Sequence, residues 1–299
     1  MSTPVLLTTR AELAEHLAGA RRDGRRVGLV PTMGALHEGH ASLMKCAREQ
    51  VGEGPVVVSV FVNPTQFGEG EDLDRYPRTL EADLKVCERE GVDVVFAPSV
   101  EEMYPHGPGS AAAVMVRPGA LAKVLEGRIR KGHFRGVLTV VAKLFGLVRP
   151  DVAVFGQKDF QQLALIRRMA DDLCLGVDVV GAPTVREPDG LALSSRNAYL
   201  DPAQRRNATA LSHALFAAQE EAQYGAQAAL HAARGVIRSS PGISLEYLEI
   251  TTADLAPLPD DAPRGFEARI LIAARVGTTR LIDNLPLTLG TLGTATGGH

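Results

Sequence analysis

Runs of apolar residues alternate with amphipathic stretches over the first three-fifths of the chain. The run at residues 27–30 predicts a short buried strand, and the unbroken run at 56–62 predicts a strand covered on both faces. Helical patterns over 39–51 and 79–90 follow these strands, and the second stops before Gly91. Further strands are predicted at 92–96, 152–155 and 177–180, and further helices at 137–148 and 159–174. This alternation predicts an α/β fold with a doubly wound parallel sheet that binds ligands at the carboxyl ends of its strands.

The pattern changes at about residue 185. A polar loop leads into two alanine-rich helical stretches, 202–223 and 226–239, and then into strand-like runs at 245–250 and 268–276. No helix separates those two strands, so we expect a smaller C-terminal α+β domain. The predicted organisation is a ligand-binding domain at 1–184, a small domain at 185–287 and a disordered tail, rich in Gly, Thr and Ala, at 288–299.

Composition and charge exclude several classes of protein. The 299 residues are 45% hydrophobic and 22% charged, as in an ordinary globular protein, and the net charge of −3 provides no basic field for nucleic acid or membrane. No run approaches the ~20 apolar residues of a membrane span, and residues 1–10 lack a secretion signal. Cys46, Cys87 and Cys174 are far apart and are predicted to be buried, reduced thiols rather than a disulfide framework or a metal cluster. We therefore expect a cytoplasmic protein.

The segment 31–40, Pro-Thr-Met-Gly-Ala-Leu-His-Glu-Gly-His, joins the first predicted strand to its helix. His37 and His40 are three residues apart and lie on one helix face, with Gly39 leaving the backbone accessible. Imidazoles and bare amides at the positive end of a helix are suited to polyphosphate. A zinc-protease site is disfavoured by the spacing and the lack of an obvious third ligand. Ordinary helix-start histidines remain an alternative, although the strand and glycine context favours phosphate binding.

Asn63 and Gln66 follow the second predicted strand, on the side of the sheet where ligands bind. Asn63-Pro64 is also a common chain reversal, which explains Asn63 without a ligand but leaves Gln66 unexplained. Both interpretations stay open.

Residues 155–162 occupy the equivalent end of a later strand. Gly156 permits close approach of a ligand, Lys158 provides a charge for phosphate, and Asp159 can accept ribose hydroxyls or cap the next helix. Gln161 and Gln162 begin that helix, where simple solvation would also explain them.

Two further segments concentrate polar donors. Ser194, Ser195 and Arg196 suit a phosphate, although such residues are common in loops and Arg186 and Arg196 could be surface charges. Residues 126–135 concentrate five basic residues, four Arg or Lys and one His, which form a candidate anion-binding wall or a solvated basic face.

In this order and spacing, these motifs resemble those of the pantothenate synthetase family, ATP-dependent ligases that join pantoate to β-alanine. The resemblance extends from about residue 27 to 202 and more weakly to about 285. Paired histidines alone mark a broader superfamily of nucleotidyltransferases, whereas the strings 61–67 and 155–162 single out this family. The resemblance implies a Rossmann-like ATP domain, a smaller lid domain, a homodimer, Mg²⁺, and a pantoyl-adenylate intermediate that forms with release of pyrophosphate and yields AMP.

The resemblance also implies individual roles. Contacts to the ATP phosphates, and with them catalysis, are expected from His37, His40, Lys158, Ser194, Ser195 and Arg196. Further ATP-binding positions are Met33, Gly39, Gly156, Asp159 and Val185. The substrates pantoate and β-alanine are expected at Met33, Asn63, Gln66 and Gln162. Asp83 matches a family acid near the magnesium ion.

This chain departs from the family pattern at several positions. Phe160 stands where tyrosine is frequent, Leu193 where methionine is usual, and Ala82 where a carboxylate often precedes the acid at 83. The loop at 128–131 is also unusual.

We expect no protein nucleophile, and we expect the loop at 194–197 to act as a lid that protects the anhydride from water.

Two rival functions remain. Another paired-histidine nucleotidyltransferase would attach a nucleotide to a phosphate acceptor, and a non-catalytic ATP-binding module would bind without turnover. A tRNA synthetase is disfavoured, because the second predicted domain has no basic stripe.

Overall fold

A computed structural model describes residues 3–111, 113–259 and 262–290. Contacts between residues divide the chain into two compact units. The first unit contains the chain up to Gln157 together with Gln161–Pro183. The second contains Lys158–Phe160 together with the chain from Thr184 onward. The short segment Lys158–Phe160 therefore belongs to the second unit although its chain neighbours belong to the first.

The first unit is built on a six-stranded parallel sheet in the order β1-β4-β3-β2-β5-β6. Its strands are β1 Val5–Leu7, β2 Gly28–Thr32, β3 Val56–Val60, β4 Val94–Phe96, β5 Val152–Gly156 and β6 Asp178–Ala182. From β2 the chain builds outward through β3 and β4, then returns to the other side of β2 for β5 and β6. The predicted doubly wound α/β fold is confirmed, and the order reverses between β2 and β5, where such sheets bind ligands.

Seven helices accompany this sheet among the described residues. They are α1 Arg10–Arg22, α2 Glu38–Val51, α3 Leu80–Arg89, α4 Val100–Met103, α5 Leu125–Ile129, α6 His133–Val148 and α7 Phe160–Asp172. The core includes Val30, Met44, Val58 and Val95, none of them more than 1% exposed. Four of the five residues of β3 are valine, and its first four positions are buried, as in a strand that is covered on both faces.

The second unit combines three helices with an antiparallel sheet ordered β7-β8-β9. Its elements are α8 Pro202–Ala208, α9 Ala210–Glu221, α10 Ala226–Ser239, β7 Ile243–Thr252, β8 Phe266–Val276 and β9 Thr279–Leu289. The helix predicted at 226–239 and the two predicted strands are confirmed, whereas the helix predicted at 202–223 is divided at Thr209 into α8 and α9, and the third strand, β9, is an addition. The prediction of a disordered tail from residue 288 is wrong at its start, because Thr288 and Leu289 are in β9. Residues 291–299 of that tail lie outside the described residues.

The structure bears on two expectations from the sequence, which concern membrane-spanning helices and the cysteines. Within the described ranges, no helix combines the length and apolar character needed to cross a membrane. Cys46, Cys87 and Cys174 are free thiols, but Cys46 is only partly buried and Cys174 is exposed, so the prediction of buried thiols is correct for Cys87 alone.

Candidate active site

The junction of β2 and α2 holds two histidines in a reciprocal arrangement. His37 is the N-cap of α2, with φ −139° and ψ 178°, and its Nδ1 accepts a hydrogen bond of 3.1 Å from the backbone N–H of Gly39. His40 Nδ1 accepts in turn from the backbone N–H of His37 at 3.3 Å, so each imidazole satisfies an amide of the helix terminus. In the neutral rings the proton consequently lies on Nε2, which makes both Nε2 atoms donors. Helix capping and phosphate binding are thus compatible roles for these side chains.

Asp83 on α3 fixes the loop that precedes His37. Its carboxylate is 1% exposed and accepts from the backbone N–H groups of Ala35 at 3.2 Å and Leu36 at 2.8 Å. The Thr79 hydroxyl donates a third bond at 3.2 Å. Gly34 has φ +83°, and a Cβ there would lie 2.9 Å from Asp83 Oδ2, so the close approach requires glycine. This carboxylate therefore orients the β2–α2 loop, a role that its resemblance to a magnesium-site acid did not predict.

Asn63, Gln66 and Met33 meet beyond the ends of β2 and β3. Asn63 is 1% exposed and caps the 3₁₀ helix Pro64–Gln66, where its Oδ1 accepts from Thr65 Oγ1 at 3.0 Å and from Tyr104 OH at 2.8 Å. Its amide nitrogen donates to Gln66 Oε1 at 3.1 Å, and Gln66 Nε2 donates to Met33 Sδ at 3.0 Å. Asn63 therefore fixes the turn and also orients the Gln66 amide. The turn interpretation is confirmed for Asn63, and the ligand-binding interpretation of this segment stays a prediction.

A close backbone approach brings α6 against that turn. A Cβ at Gly136 would lie 2.1 Å from the carbonyl oxygen of Thr65, and the Gly136 carbonyl accepts from Asn63 Nδ2 at 3.2 Å. Only glycine allows this contact, which ties the first turn of α6 to the 3₁₀ helix.

The basic segment before α6 is neither a free anion wall nor a solvated face at Arg130. This guanidinium forms a bidentate pair with Glu71, with distances of 2.8 and 2.6 Å, and its side chain is only 16% exposed. Arg130 Nη1 also lies 3.0 Å from His133 Nε2, and His133 Nδ1 lies 2.8 Å from the carbonyl oxygen of Gln66. Since Arg130 is only a donor and the carbonyl only an acceptor, His133 carries its proton on Nδ1.

The pKa values of His133 and Glu71 depart strongly from their ordinary values. Desolvation, followed by the charge of Arg130, lowers the pKa of His133 to about 4. Burial opposes ionisation of Glu71, but the hydrogen bonds and charge of Arg130 prevail and lower its pKa to about 2. The network is therefore a neutral imidazole beside a permanent ion pair, and it holds the backbone of Gln66.

Gln161, in the first turn of α7, has a structural role. Gln161 is 3% exposed, accepts from the N–H of Glu126 at 2.9 Å and donates to the carbonyls of Leu121 and Val124. The interpretation of Gln161 as a solvated side chain is therefore wrong. Gln162 is partly buried on α7, and Gly156 ends β5.

In the second unit, Lys158 and Asp159 lie in the 3₁₀ helix Gln157–Asp159. Lys158 Nζ is 3.7 Å from Asp159 Oδ2, and the two side chains are 20% and 50% exposed. An ion pair that reaches solvent at both members contributes little to stability, so this contact does not assign a structural role to Lys158.

Residues 185–193 of the second unit form a tight hairpin that leads into the serine–arginine loop. Leu193 N–H donates to Val185 O at 3.0 Å, and Arg186 and Ala192 form an antiparallel bridge. Ser194 then caps the 3₁₀ helix Ser195–Tyr199, its Oγ accepting from the N–H of Arg196 at 3.3 Å. The hairpin thus places Val185 beside the start of the Ser194 loop.

Arg186 is not a surface charge. It forms a bidentate pair with Asp283 at 2.6 and 2.9 Å, and Asp283 is 3% exposed. No pattern in the sequence indicated this pair, because Asp283 lies in the unpredicted strand β9.

Most of the candidate residues lie in four groups, two in each unit. The first unit contains one group at the β2–α2 junction, made up of His37, Gly39 and His40, and another made up of Met33, Asn63 and Gln66. In the second unit, Lys158 and Asp159 are adjacent, as are Val185, Ser194, Ser195 and Arg196. Among the described residues no three His, Cys, Asp or Glu side chains form a cluster that could hold a metal ion.

Comparison with known proteins identifies similar chains. A family profile described as pantoate-beta-alanine ligase matches residues 5–286. A pantothenate synthetase from Nocardioides sp. strain JS614 is 70% identical over 298 residues, which cover 98% of this chain and 88% of that protein. One from Thermobifida fusca is 55% identical over 96% of this chain and 97% of its own length.

Solved structures agree with these matches. The crystal structure of pantothenate synthetase from Thermus thermophilus aligns with a TM-score of 0.86 at 49% identity, covering 94% of this chain and 98% of that one. A pantoate-beta-alanine ligase from Francisella tularensis, crystallised with beta-gamma ATP and beta-alanine, aligns with a TM-score of 0.76 at 32% identity. That alignment covers 97% of this chain and 99% of the other.

Proposed function

The chain belongs to the pantoate–β-alanine ligase family, and from this membership we propose that it forms pantothenate through a pantoyl-adenylate. In the first half-reaction a carboxylate oxygen of pantoate bonds to the α-phosphorus of ATP, and the bond to the bridging oxygen of pyrophosphate breaks. In the second, the uncharged amine of β-alanine bonds to the acyl carbon. AMP leaves with the bridging oxygen, and the amine loses a proton.

The arrangement of His37 and His40 is the observation that carries this proposal. Two anions must approach each other in the first half-reaction, and unit charges 4 Å apart interact by about 4 kcal/mol at an effective dielectric of about 20. In both imidazoles Nδ1 accepts from a backbone amide of α2, so the proton lies on Nε2, and both rings stand at the positive end of a 14-residue helix. These donors suit the triphosphate, and the rings are held before any ligand binds.

For pantoate we propose Gln66, with Met33 beside it. A neutral amide binds hydroxyl and carboxylate groups without a counter-charge that would weaken the nucleophile. Asn63 Nδ2 and the His133–Arg130–Glu71 network hold Gln66 through its side chain and its backbone. Positioning of this kind supplies much of the rate enhancement in reactions that need no protein nucleophile.

Further phosphate contacts are proposed for residues of the second unit. We propose that Lys158, Ser194, Ser195 and Arg196 bind the phosphates in the same reaction, with Gly156, Asp159 and Val185 contacting the nucleoside. A guanidinium and an ammonium stabilise the negative charge that moves onto pyrophosphate. As a loop with its own cap, residues 194–197 also suit the predicted lid over the anhydride.

Magnesium is proposed as a companion of ATP. Asp83 does not fit a metal ligand well, because three donors already bind its carboxylate and no cluster surrounds it among the described residues. Mg²⁺ is commonly held by substrate phosphates. The ion then enters with the nucleotide, and no step depends on a protein ligand for it.

The homodimer, the cytoplasmic location and the division into an ATP domain and a lid are proposals that rest on the family resemblance. The three free thiols agree with a reducing compartment. Sedimentation of the purified chain at several concentrations measures the oligomeric state.

Isotope transfer tests the proposed intermediate. Pantoate labelled with ¹⁸O in its carboxylate is incubated with ATP, Mg²⁺ and β-alanine, and the products are analysed by mass spectrometry. An adenylate transfers one label to AMP, and pyrophosphate appears with pantoate even before β-alanine is added. Formation of ADP and phosphate, or unlabelled AMP, would contradict the mechanism. Pyrophosphate release that requires a phosphorylated acceptor would favour the rival nucleotidyltransferase.

A further inference from the structure

The segment Lys158–Phe160 is fastened to the second unit by two contacts. Asn284 Nδ2 donates to the carbonyl oxygen of Lys158 at 2.8 Å. The guanidinium carbon of Arg269 lies 3.6 Å from the centroid of the Phe160 ring. Both partners come from the antiparallel sheet, Asn284 from β9 and Arg269 from β8.

The orientation of the Asn284 amide is determined by its neighbours. Asn284 is 3% exposed, and its Oδ1 accepts from Arg269 Nη1 while its Nδ2 donates to Lys158 O. An arginine is only a donor and a backbone carbonyl only an acceptor, so the reversed amide would lose both bonds. This buried side chain therefore links the stacked Arg269 to the backbone of Lys158.

The preceding residue supports the second polar segment of the same unit. Asp283 binds Arg186 in bidentate fashion and also accepts from the N–H of Asn284 at 2.7 Å. Arg186 donates in addition to Gly190 O at 3.0 Å, inside the hairpin that leads to Ser194. Two adjacent residues of β9 thus hold the backbone of Lys158 and the base of the serine–arginine loop.

We propose that Asp283 and Asn284 are positioning residues for adenylation. This proposal rests on the proposed role of Lys158 and Ser194–Arg196 in phosphate binding. Neither residue needs to touch a substrate. Together they fix the spacing between the Lys158 backbone and the loop that carries Arg196. Misplacement of a reacting or stabilising group by about 1 Å can cost up to about 100-fold in rate. Loss of Asn284 is therefore expected to reduce turnover rather than pantoate affinity.

The test is a double-mutant cycle between Asn284→Asp and Lys158→Ala. Asn284→Asp keeps the shape and the acceptor for Arg269 but removes the donor to Lys158 O. The single-turnover rate of pantoate-dependent pyrophosphate release should fall about 10- to 50-fold in Asn284→Asp, with KM for pantoate within about twofold of the parent value. In the Lys158→Ala background the same substitution should change the rate by no more than about twofold, because the ammonium group that this backbone contact positions is gone.

A second variant and a control complete the experiment. Arg269→Lys keeps the charge but removes the planar group stacked on Phe160, and it should lower the rate about three- to tenfold. Gln219→Ala removes an amide-to-carbonyl bond of 3.2 Å to Pro286, also on β9, and should leave the rate within about twofold. Unfolding in urea is measured for every variant, so that a folding defect is recognised.

The outcomes separate this inference from the proposed function. If Lys158→Ala is severely impaired while Asn284→Asp and Arg269→Lys match the parent, the positioning role is overturned and the proposed function stands. Equal losses from Asn284→Asp in both backgrounds also overturn it, because the residue then acts elsewhere. If Lys158→Ala itself retains the parent rate, the proposed role of Lys158 and the inference fail together.

Discussion

At the scale of single residues, the two nitrogen atoms of His37 and of His40 have different roles, because Nδ1 accepts from a backbone amide of α2 and Nε2 carries the proton. The histidine pair was recognisable from its spacing and from the glycine between its members. The hydrogen bond that each Nδ1 accepts from a backbone amide depends on the geometry of the turn and was not predicted from the sequence. Asp83 and Asn63 show the same limit, because their structural bonds depend on neighbours far along the chain.

Replacement of His40 by asparagine separates its two roles. The Asn Oδ1 can accept from the N–H of His37 as Nδ1 does, but no donor remains at the position of Nε2. We expect adenylation to slow by about 10²–10³, the usual loss for one charge-stabilising donor. Attack of β-alanine on supplied pantoyl-adenylate should change far less. Equal slowing of both half-reactions, measured in single turnovers, would contradict a phosphate contact.

Asp83→Asn is expected to destabilise the β2–α2 loop. One carboxylate oxygen becomes an NH₂ group that faces a backbone N–H, so a buried amide loses its acceptor at a cost of about 1–3 kcal/mol in the free energy of unfolding. KM for ATP should rise, since the same loop presents His37. Urea unfolding and initial rates measure the two effects. Asp172→Asn provides a control, because that carboxylate is 63% exposed and should change neither quantity.

At the scale of elements, strands and helices with strong periodicity were predicted, whereas short or polar ones were not. The sequence predicted α2, α3 and the central strands to within a few residues. It missed α1, although Thr9 and Glu12 form the capping box that marks a helix start. It also missed β9, because Asp283, Asn284 and Pro286 resemble a loop. Tertiary partners bury the two polar residues, and Pro286 is tolerated because β9 is an edge strand.

The start of α6 should make stability depend on pH. In the folded protein His133 has a pKa of about 4, below its ordinary value of 6.5. Between these values the unfolded chain binds a proton that the folded chain does not, so stability is fully present above about pH 6.5 and is lost as pH falls towards 4. We expect this residue to contribute up to about 3 kcal/mol of that loss.

Urea unfolding between pH 7 and 4 tests this expectation. His133→Asn retains a donor for the Gln66 carbonyl but cannot be protonated, and its free energy of unfolding should fall less steeply with decreasing pH. His16→Asn, at an exposed position on α1, is the matched control and should keep the parent slope. Parallel curves for His133→Asn and the parent protein would show that His133 does not titrate as described.

At the scale of the whole molecule, ligand binding should be visible in stability. ATP at about 100 times its Kd is expected to add about 2.7 kcal/mol to the free energy of unfolding, because it binds the folded state alone. His40→Asn should show a smaller gain at the same ATP concentration. The net charge of −3 predicts no comparable effect of RNA. Thermal unfolding with each ligand measures this, and stabilisation by RNA without ATP would favour a different class of protein.

The division of the chain at Lys158–Phe160 has a consequence for anyone building hybrid enzymes. A chimaera with a single junction near residue 184 would pair one parent's lysine segment with the other parent's Asp283 and Asn284. Exchange of the C-terminal unit should therefore be carried out as two grafts, one of three residues and one from Thr184 onward. A hybrid that transfers both pieces should retain more of its donor's turnover than one that transfers the longer piece alone.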